Sequence, residues 1–137
     1  MDAKGNLYGT TSEGGNNLGT VFEVSQGGKE HVLYRFGPPL GHDGFGPQSG
    51  VIRDAEGNLY GTTLEGGRYG DGIVFEISKD GKEKVLHSFC SGDCSDGAYP
   101  GGDLIMDAKG NLYGTAFGGG VHGDGTIFKI TLHPAQP

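Results

Sequence analysis

Residues 54–63, DAEGNLYGTT, occur nearly unchanged three times in this chain of 137 residues. The first copy reads DAKGNLYGTT at 2–11, and the third reads DAKGNLYGTA at 107–116. Successive copies begin 52 and 53 residues apart. A fixed period of this size is typical of proteins built from stacked repeat units, such as propeller blades or solenoid turns. The repeat therefore decides the fold prediction before any single residue is considered.

Each repeat contains four short segments with the composition of β-strands. In the middle repeat they are residues 50–53, 58–63, 73–78 and 83–89, all rich in apolar, aromatic or threonine residues and separated by Gly and Asp. A parallel β-helix has a shorter period, and a sandwich does not repeat its sequence. Four antiparallel strands per repeat of about 50 residues indicate a propeller blade. We therefore predict an all-β fold, a partial β-propeller of four-stranded antiparallel blades.

The chain holds about three such blades, and its ends do not coincide with blade boundaries. We predict an incomplete blade at 1–48, a complete blade at 49–101 and an incomplete blade at 102–137. The first blade lacks its first strand and the last lacks its fourth. Because the smallest closed propellers have about four blades, the chain is predicted to be a piece of a longer protein or to self-associate into a complete ring.

Composition excludes several classes of partner. The net charge is −7, and the ten Lys and Arg residues are scattered, so no basic stripe predicts nucleic-acid binding. No apolar run of about 18 residues predicts membrane insertion. The N-terminus lacks the basic-then-apolar pattern of a signal peptide. Many of the 30 glycines recur at corresponding turn positions, which indicates turns and not low complexity.

Two cysteines, Cys90 and Cys94, have three residues between them in a loop rich in Ser, Gly and Asp. A structural metal site usually needs four ligands, so no metal site is predicted from this pair. We predict a small loop-closing disulfide, which implies an oxidising compartment outside the cytosol. Two free thiols in a surface loop are the alternative.

Antiparallel strands place all the long loops at one edge of the sheets, here called the long-loop face: residues 12–18, 37–49, 64–71, 90–102 and 117–124. Loops on a rigid scaffold commonly carry binding residues. The candidate ligand-binding residues are the charged, aromatic and histidine side chains of these loops: His42, Asp43, Arg68, Tyr69, Asp71, Asp96, His122 and Asp124. Four of them are aspartates followed by glycine, and such oxygen-rich loops could bind Ca²⁺, the one cofactor considered. Their spacing differs from that of an EF-hand loop. A role of these Asp-Gly pairs in turns is therefore favoured.

Other residues give no catalytic signal. The chain contains neither a GxSxG nor an HExxH motif. His87 falls within a predicted strand, and no acid/base couple stands out, so no catalytic residue is predicted. Asp54 is interpreted as a turn residue. Tyr60 and its counterparts Tyr8 and Tyr113 are interpreted as packing residues of the second strand.

The repeated pattern of GNLYGTT, a Gly-Gly loop, GTVFEV or GIVFEI, and a later DG before Pro resembles the GloVer tandem repeat, a bacterial family. In its blade pattern the chain is also similar to NHL and streptogramin-lyase-like propellers. The GloVer resemblance covers practically the whole chain and implies tandem copies in secreted or surface-anchored proteins. It brings no catalytic residues to this chain.

Two functions follow as hypotheses. The first is a non-catalytic extracellular module, with a structural role or with a glycan or protein ligand on the long-loop face. The alternative is a propeller enzyme of the lyase or hydrolase type acting on a polysaccharide or lactone. Because enzymatic propellers need a site that departs from the repeat and the repeats are near copies, the binding or structural module is favoured.

Overall fold

A computed structural model of the chain describes residues 1–38 and 42–132. The described residues form several antiparallel sheets and a single short helix. The elements in chain order are β1 Leu7–Thr11, α1 Gly14–Asn17, β2 Thr20–Val24, β3 Glu30–Arg35, β4 Gly44–Phe45, β5 Ile52–Arg53, β6 Leu59–Thr63, β7 Glu65–Gly66, β8 Ile73–Ile77, β9 Glu83–Ser88, β10 Ala98–Pro100, β11 Ile105–Met106, β12 Asn111–Gly118 and β13 Thr126–Thr131. The all-β prediction is confirmed.

The middle repeat, here repeat 2, forms a four-stranded sheet in the order β5-β6-β8-β9. Every pairing in it is antiparallel, and all four predicted segments are strands. Repeat 1 contributes the three-stranded sheet β1-β2-β3. In repeat 3, β12 pairs with β11 and β13, and β10 from the preceding loop joins the same strand. Consecutive strands are therefore neighbours within each repeat.

Two apolar clusters lie between successive repeats. The first joins Val21 and Phe36 of repeat 1 to Leu59, Ile73 and Phe75 of repeat 2, all almost fully buried. A second cluster joins buried residues of repeat 2 to those of repeat 3: Tyr60, Val74, Phe89, Leu104 and Leu112. The sheet of repeat 2 thus buries both of its faces, which explains why its strands do not alternate strictly between polar and apolar residues.

The second glycine of GNLYGT faces a phenylalanine on the neighbouring strand in all three repeats. Gly61 is the direct cross-strand partner of Phe75. A Cβ atom added to Gly61 would lie only 2.7 Å from the tip of that ring. The same pairs are Gly9 with Phe22 and Gly114 with Phe128. The ring lies over the glycine, so the absence of a side chain is required for packing.

The hairpin that gives the repeat its signature is closed by an aspartate. Asp54 accepts hydrogen bonds from the N–H groups of Glu56 and Asn58, from the Asn58 side chain and from the Tyr60 hydroxyl, at 2.8–3.0 Å. Asp2 and Asp107 have the same set of partners in their own repeats. The turn role predicted for Asp54 is confirmed, and the tyrosine adds a hydrogen bond to its packing role.

A register shift recurs in the third and fourth strands of repeats 1 and 2. Val21 pairs with Tyr34 and Phe22 with Val32, which leaves Leu33 as the extra residue of a β-bulge. In repeat 2 the extra residue is Leu86, next to His87. A bulge turns two consecutive side chains towards one side, and both Leu33 and Tyr34 contact the first apolar cluster. This small irregularity sets the direction of Tyr34 and His87.

Candidate functional site

Loops of different repeats meet at the long-loop face. Strand β4, in the loop after repeat 1, pairs with β7, in the loop between the second and third strands of repeat 2. The Tyr99 N–H donates to the backbone oxygen of Asp71 at 2.8 Å, which joins the next two loops in the same way. The sequence pattern did not predict β4, β7, β10 or α1, because these short elements lie within stretches interpreted as loops. The loops thus form one hydrogen-bonded layer.

Asp43, a predicted ligand residue, closes the loop after repeat 1. Its carboxylate accepts hydrogen bonds from the Tyr34 hydroxyl and the Gly37 N–H, both at 2.8 Å, and from its neighbour Gly44 N–H. The residue is only 8% exposed. Burial and the hydrogen bond to Asp43 raise the pKa of Tyr34. Because both carboxylate oxygens accept protein donors, the turn interpretation of this Asp-Gly pair is supported over a calcium ligand.

Asp96 occupies the corresponding position after repeat 2, but its partner differs. One oxygen lies 2.8 Å from Nε2 of His87 and the other accepts the Cys90 N–H at 3.1 Å. His87 replaces Tyr34, and each lies nine residues before its aspartate. The predicted strand position of His87 is confirmed, since it lies in β9. Its pairing with Asp96 was not predicted from the sequence. Aligning the two repeats at this nine-residue spacing would have found the pair.

The His87–Asp96 pair lies beside two shallow cavities. One has a volume of about 420 Å³ and is lined by residues including Ser95, Thr126 and Lys129. The other, of about 390 Å³, is lined by Arg68, Tyr69, Leu86, Ser88 and Ser91 among others. His87 lines both. His87 and Leu86 therefore separate two depressions, each lined by both polar and apolar atoms.

Two tyrosines of the long-loop face are exposed. Tyr69 is 45% and Tyr99 44% exposed, and the Arg68 guanidinium lies 6.0 Å from the centre of the Tyr69 ring. A hydrogen bond to Asp71 and the charge of that carboxylate raise the pKa of Tyr99. Tyr99 was not predicted from the sequence, because it stands where repeat 1 has Gly46. Both positions have positive φ, at 57° and 68°.

The two cysteines are joined by a disulfide, as predicted. The carboxylate of Asp71 lies close to both of their sulfur atoms. Three predicted site residues, Arg68, Tyr69 and Asp71, thus belong to one loop beside the disulfide. The proximity of Asp71 to the two cysteines was not predicted from the sequence, because they lie on two loops about 20 residues apart.

The remaining predicted site residues lie elsewhere on the long-loop face. His42 is exposed and adopts positive φ next to the buried Asp43. His122 and Asp124 are exposed in the corresponding loop of repeat 3. Within the described part of the chain, neither makes a side-chain hydrogen bond to the Arg68–Asp71 loop. The structure therefore concentrates the candidate site on repeat 2.

The sheets and the repeated hairpins define an all-β tandem-repeat protein. The family model of the Gloeobacter/Verrucomicrobia repeat matches residues 1–136, and the chain belongs to this family. The predicted GloVer membership is confirmed. No curated protein matches the chain. Among the described residues no helix has the length and apolar character needed to cross a membrane.

Proposed function

We propose that the chain is a non-catalytic β-propeller module that binds a glycan at the long-loop face of repeat 2. The propeller is supported by the four antiparallel strands of repeat 2 and by the apolar clusters on both of its sides. The glycan site is supported by one observation above all: the exposed rings of Tyr69 and Tyr99 lie on two loops that the Tyr99 N–H joins to the Asp71 backbone, and the Arg68 guanidinium lies over the Tyr69 ring.

The chemistry of this surface suits a sugar. A pyranose ring has an apolar C–H face and a rim of hydroxyl groups. Tyrosine presents a rigid apolar ring with a polar tip, and Arg68, Asp71 and His87 supply donors and acceptors for hydroxyl groups. The cavities beside His87 are open and lined by both polar and apolar atoms, as expected for a ligand that has hydroxyl groups and an apolar face and remains partly hydrated. A protein ligand is the other outcome of the test.

An extracellular or cell-surface location is part of this proposal. Disulfides persist in oxidising compartments and are rare in the cytosol. The Cys90–Cys94 bond is consistent with such a location.

The proposal is tested by a glycan array followed by calorimetric titration of the best ligand. We expect Tyr69→Ala and Tyr99→Ala each to weaken binding about 10-fold or more, since each removes a large contact of about 1–3 kcal/mol. Lys82→Ala, in an exposed tight turn at the opposite edge, is the control and should bind normally. A ligand whose affinity is the same in all three variants would place binding elsewhere.

The second candidate is the propeller enzyme, and the His87–Asp96 pair is the observation in its favour. A histidine held by a carboxylate is the arrangement of a general base, and here it borders a cavity of about 420 Å³. Turnover of a polysaccharide or lactone that His87→Ala abolishes would support the enzyme. Binding without turnover would support the module.

A separate proposal is that two copies of the chain associate. Ile127 is 79% exposed, whereas its counterparts Val21 and Val74 are fully buried between successive repeats. A second copy packing its repeat 1 against this face would continue the interface seen within the chain. Light scattering coupled to size-exclusion chromatography tests this: a concentration-dependent dimer that Ile127→Lys abolishes supports association, and a monomer at every concentration rejects it.

A further inference from the structure

Three side chains with metal-ligand chemistry converge in repeat 2 from two separate loops. A carboxylate oxygen of Asp71 and the sulfur atoms of Cys90 and Cys94 all lie within 4.8 Å of one another. All three residues are half-buried. We propose that reduction of the disulfide converts this cluster into a binding site for a divalent cation that prefers thiolate, with Zn²⁺ as the best match. The inference goes beyond the proposed glycan binding and does not depend on it.

The positions of these residues are held by hydrogen bonds that do not involve sulfur. The Cys90 N–H donates to Asp96 at 3.1 Å. The backbone oxygen of Cys94 accepts the N–H groups of Gly97 and Gly120 at 3.0 and 2.9 Å. The backbone oxygen of Asp71 accepts the Tyr99 N–H. Because the backbone is fixed from neighbouring segments, reduction leaves the two thiols facing each other and the carboxylate.

The donor set is suited to zinc. Zn²⁺ binds cysteine thiolates at about 2.3 Å and carboxylate oxygens at about 2.0–2.2 Å, and open sites use three protein ligands with water in the fourth position. Ligating carboxylates are usually held by an outer hydrogen bond. Tyr99 lies next to Asp71, whose backbone oxygen accepts the Tyr99 N–H, and its hydroxyl would serve as such an outer donor in the proposed site. Two soft ligands also select against Ca²⁺ and Mg²⁺, which prefer oxygen.

Repeat 2 contains this cluster, and repeat 1 does not. In the sequence of repeat 1, the positions of Cys90 and Cys94 are taken by Gly37 and Gly41. The Asp-Gly step of Asp71 is there Leu18-Gly19. All three ligands are thus absent from repeat 1 together, as expected if they act together.

The chemistry balances with a thiol or phosphine as the reductant. Two electrons from the reductant and two protons convert the Cys90–Cys94 bond into two thiols. The cation then binds the two thiolates, and the two thiol protons pass to solvent. Oxidation reverses both steps and releases the cation. The loop therefore has two states, crosslinked without metal and reduced with metal.

The test is titration of the full chain with Co²⁺ after phosphine reduction under anaerobic conditions. Thiolate coordination of Co²⁺ gives a charge-transfer absorption band, and Zn²⁺ should abolish the band by displacing cobalt. We expect the band in the reduced chain and its absence in the oxidised chain. Absence of the band from the reduced chain would overturn the proposal.

Variants separate the site from general thiol binding. Cys90→Ser and Cys94→Ser should each remove the band, while Asp71→Asn and Tyr99→Phe should weaken zinc binding about 10- to 100-fold. Asp124→Asn, at the corresponding exposed position of repeat 3, is the matched control. Circular dichroism of the oxidised Asp71→Asn and Tyr99→Phe proteins verifies folding. An Asp71→Asn variant with unchanged zinc affinity would contradict the role of Asp71 as a ligand.

Discussion

At both edges of the sheets an aspartate accepts the hydrogen bonds that close a turn or loop. Its partners are the same in every repeat at one edge and differ between repeats at the other. At the hairpin edge, Asp2, Asp54 and Asp107 have identical sets of partners in three repeats. At the long-loop face, Asp43 and Asp96 close equivalent loops, but one binds a tyrosine and the other a histidine. Groups that repeat without change serve folding, and the position where the pattern changes is where a specific function is to be sought.

The largest expected effect comes from removing a hairpin aspartate. Asp54→Ala leaves the Tyr60 hydroxyl, on a residue only 2% exposed, without its acceptor. Loss of a charged acceptor for several donors should lower the free energy of unfolding by about 3 kcal/mol. Asp2→Ala and Asp107→Ala should have smaller effects, because Tyr8 and Tyr113 are less buried.

Urea unfolding of these variants measures the difference. Glu56→Ala, in the same turn with an exposed side chain, is the control and should lie within about 0.5 kcal/mol of the parent protein. Equal losses in Asp2→Ala, Asp54→Ala and Asp107→Ala would show that burial of the tyrosine does not determine the effect.

The glycine under the phenylalanine ring should be the next most sensitive position. Gly61→Ala places a Cβ atom 2.7 Å from Phe75, on a strand whose residues are all buried. Overpacking of this kind typically destabilises by about 1–3 kcal/mol. Thermal unfolding checks this, with Gly27→Ala as the control, since its nearest atom would be 3.9 Å away. A neutral Gly61→Ala would mean that the ring moves without loss of packing.

Much of the hairpin edge could be predicted from sequence, and little of the long-loop face could. DAEGNLYGTT combines local turn chemistry with strand propensity, and Asp54 contacts residues no more than six positions away. The contacts of the long-loop face join residues far apart in sequence, such as Tyr99 with Asp71. The direction of His87 depends on the bulge at Leu86, which no single-residue propensity indicates.

Asp43 and Asp96 offer a direct comparison within the long-loop face. Asp43→Ala removes an acceptor of three donors from a buried position and should destabilise by about 2 kcal/mol. Asp96→Ala removes two contacts at a position whose side chain is 28% exposed, and about 1 kcal/mol is expected. Chemical unfolding of both variants measures the two losses in the free energy of unfolding, and equal losses would contradict the expected difference.

His87→Tyr sharpens this comparison by giving repeat 2 the pair found in repeat 1. A tyrosine hydroxyl can donate to Asp96 as Tyr34 does to Asp43, so stability should stay within about 0.5 kcal/mol. If the variant keeps its stability but loses ligand binding or turnover, the histidine serves function. If it loses stability as severely as Asp96→Ala, the imidazole itself is needed for the loop.

A modest effect is expected at Glu83, and it appears as a dependence of stability on pH. Burial, with a further contribution from the charge of Asp43, raises the pKa of Glu83 to about 7. One of its carboxylate oxygens is buried and has no hydrogen-bond partner among the described residues. Because the pKa is higher in the folded state than the usual 4.5, the folded protein binds more protons between these values. Stability should therefore fall as pH rises from about 4.5 to 7.

Glu83→Gln should remove this decline and stabilise the protein above pH 7 by on the order of 1 kcal/mol, since partial exposure screens the charge. Glu30→Gln is the matched control, because Glu30 holds the same position in repeat 1 and is exposed. The opposite slope below pH 4, where Asp2 and Asp107 titrate with pKa values lowered to about 2 by hydrogen bonds from Asn6 and Asn111, should persist in both variants. Urea unfolding at several pH values separates the two slopes, and an unchanged decline in Glu83→Gln would assign it to another group.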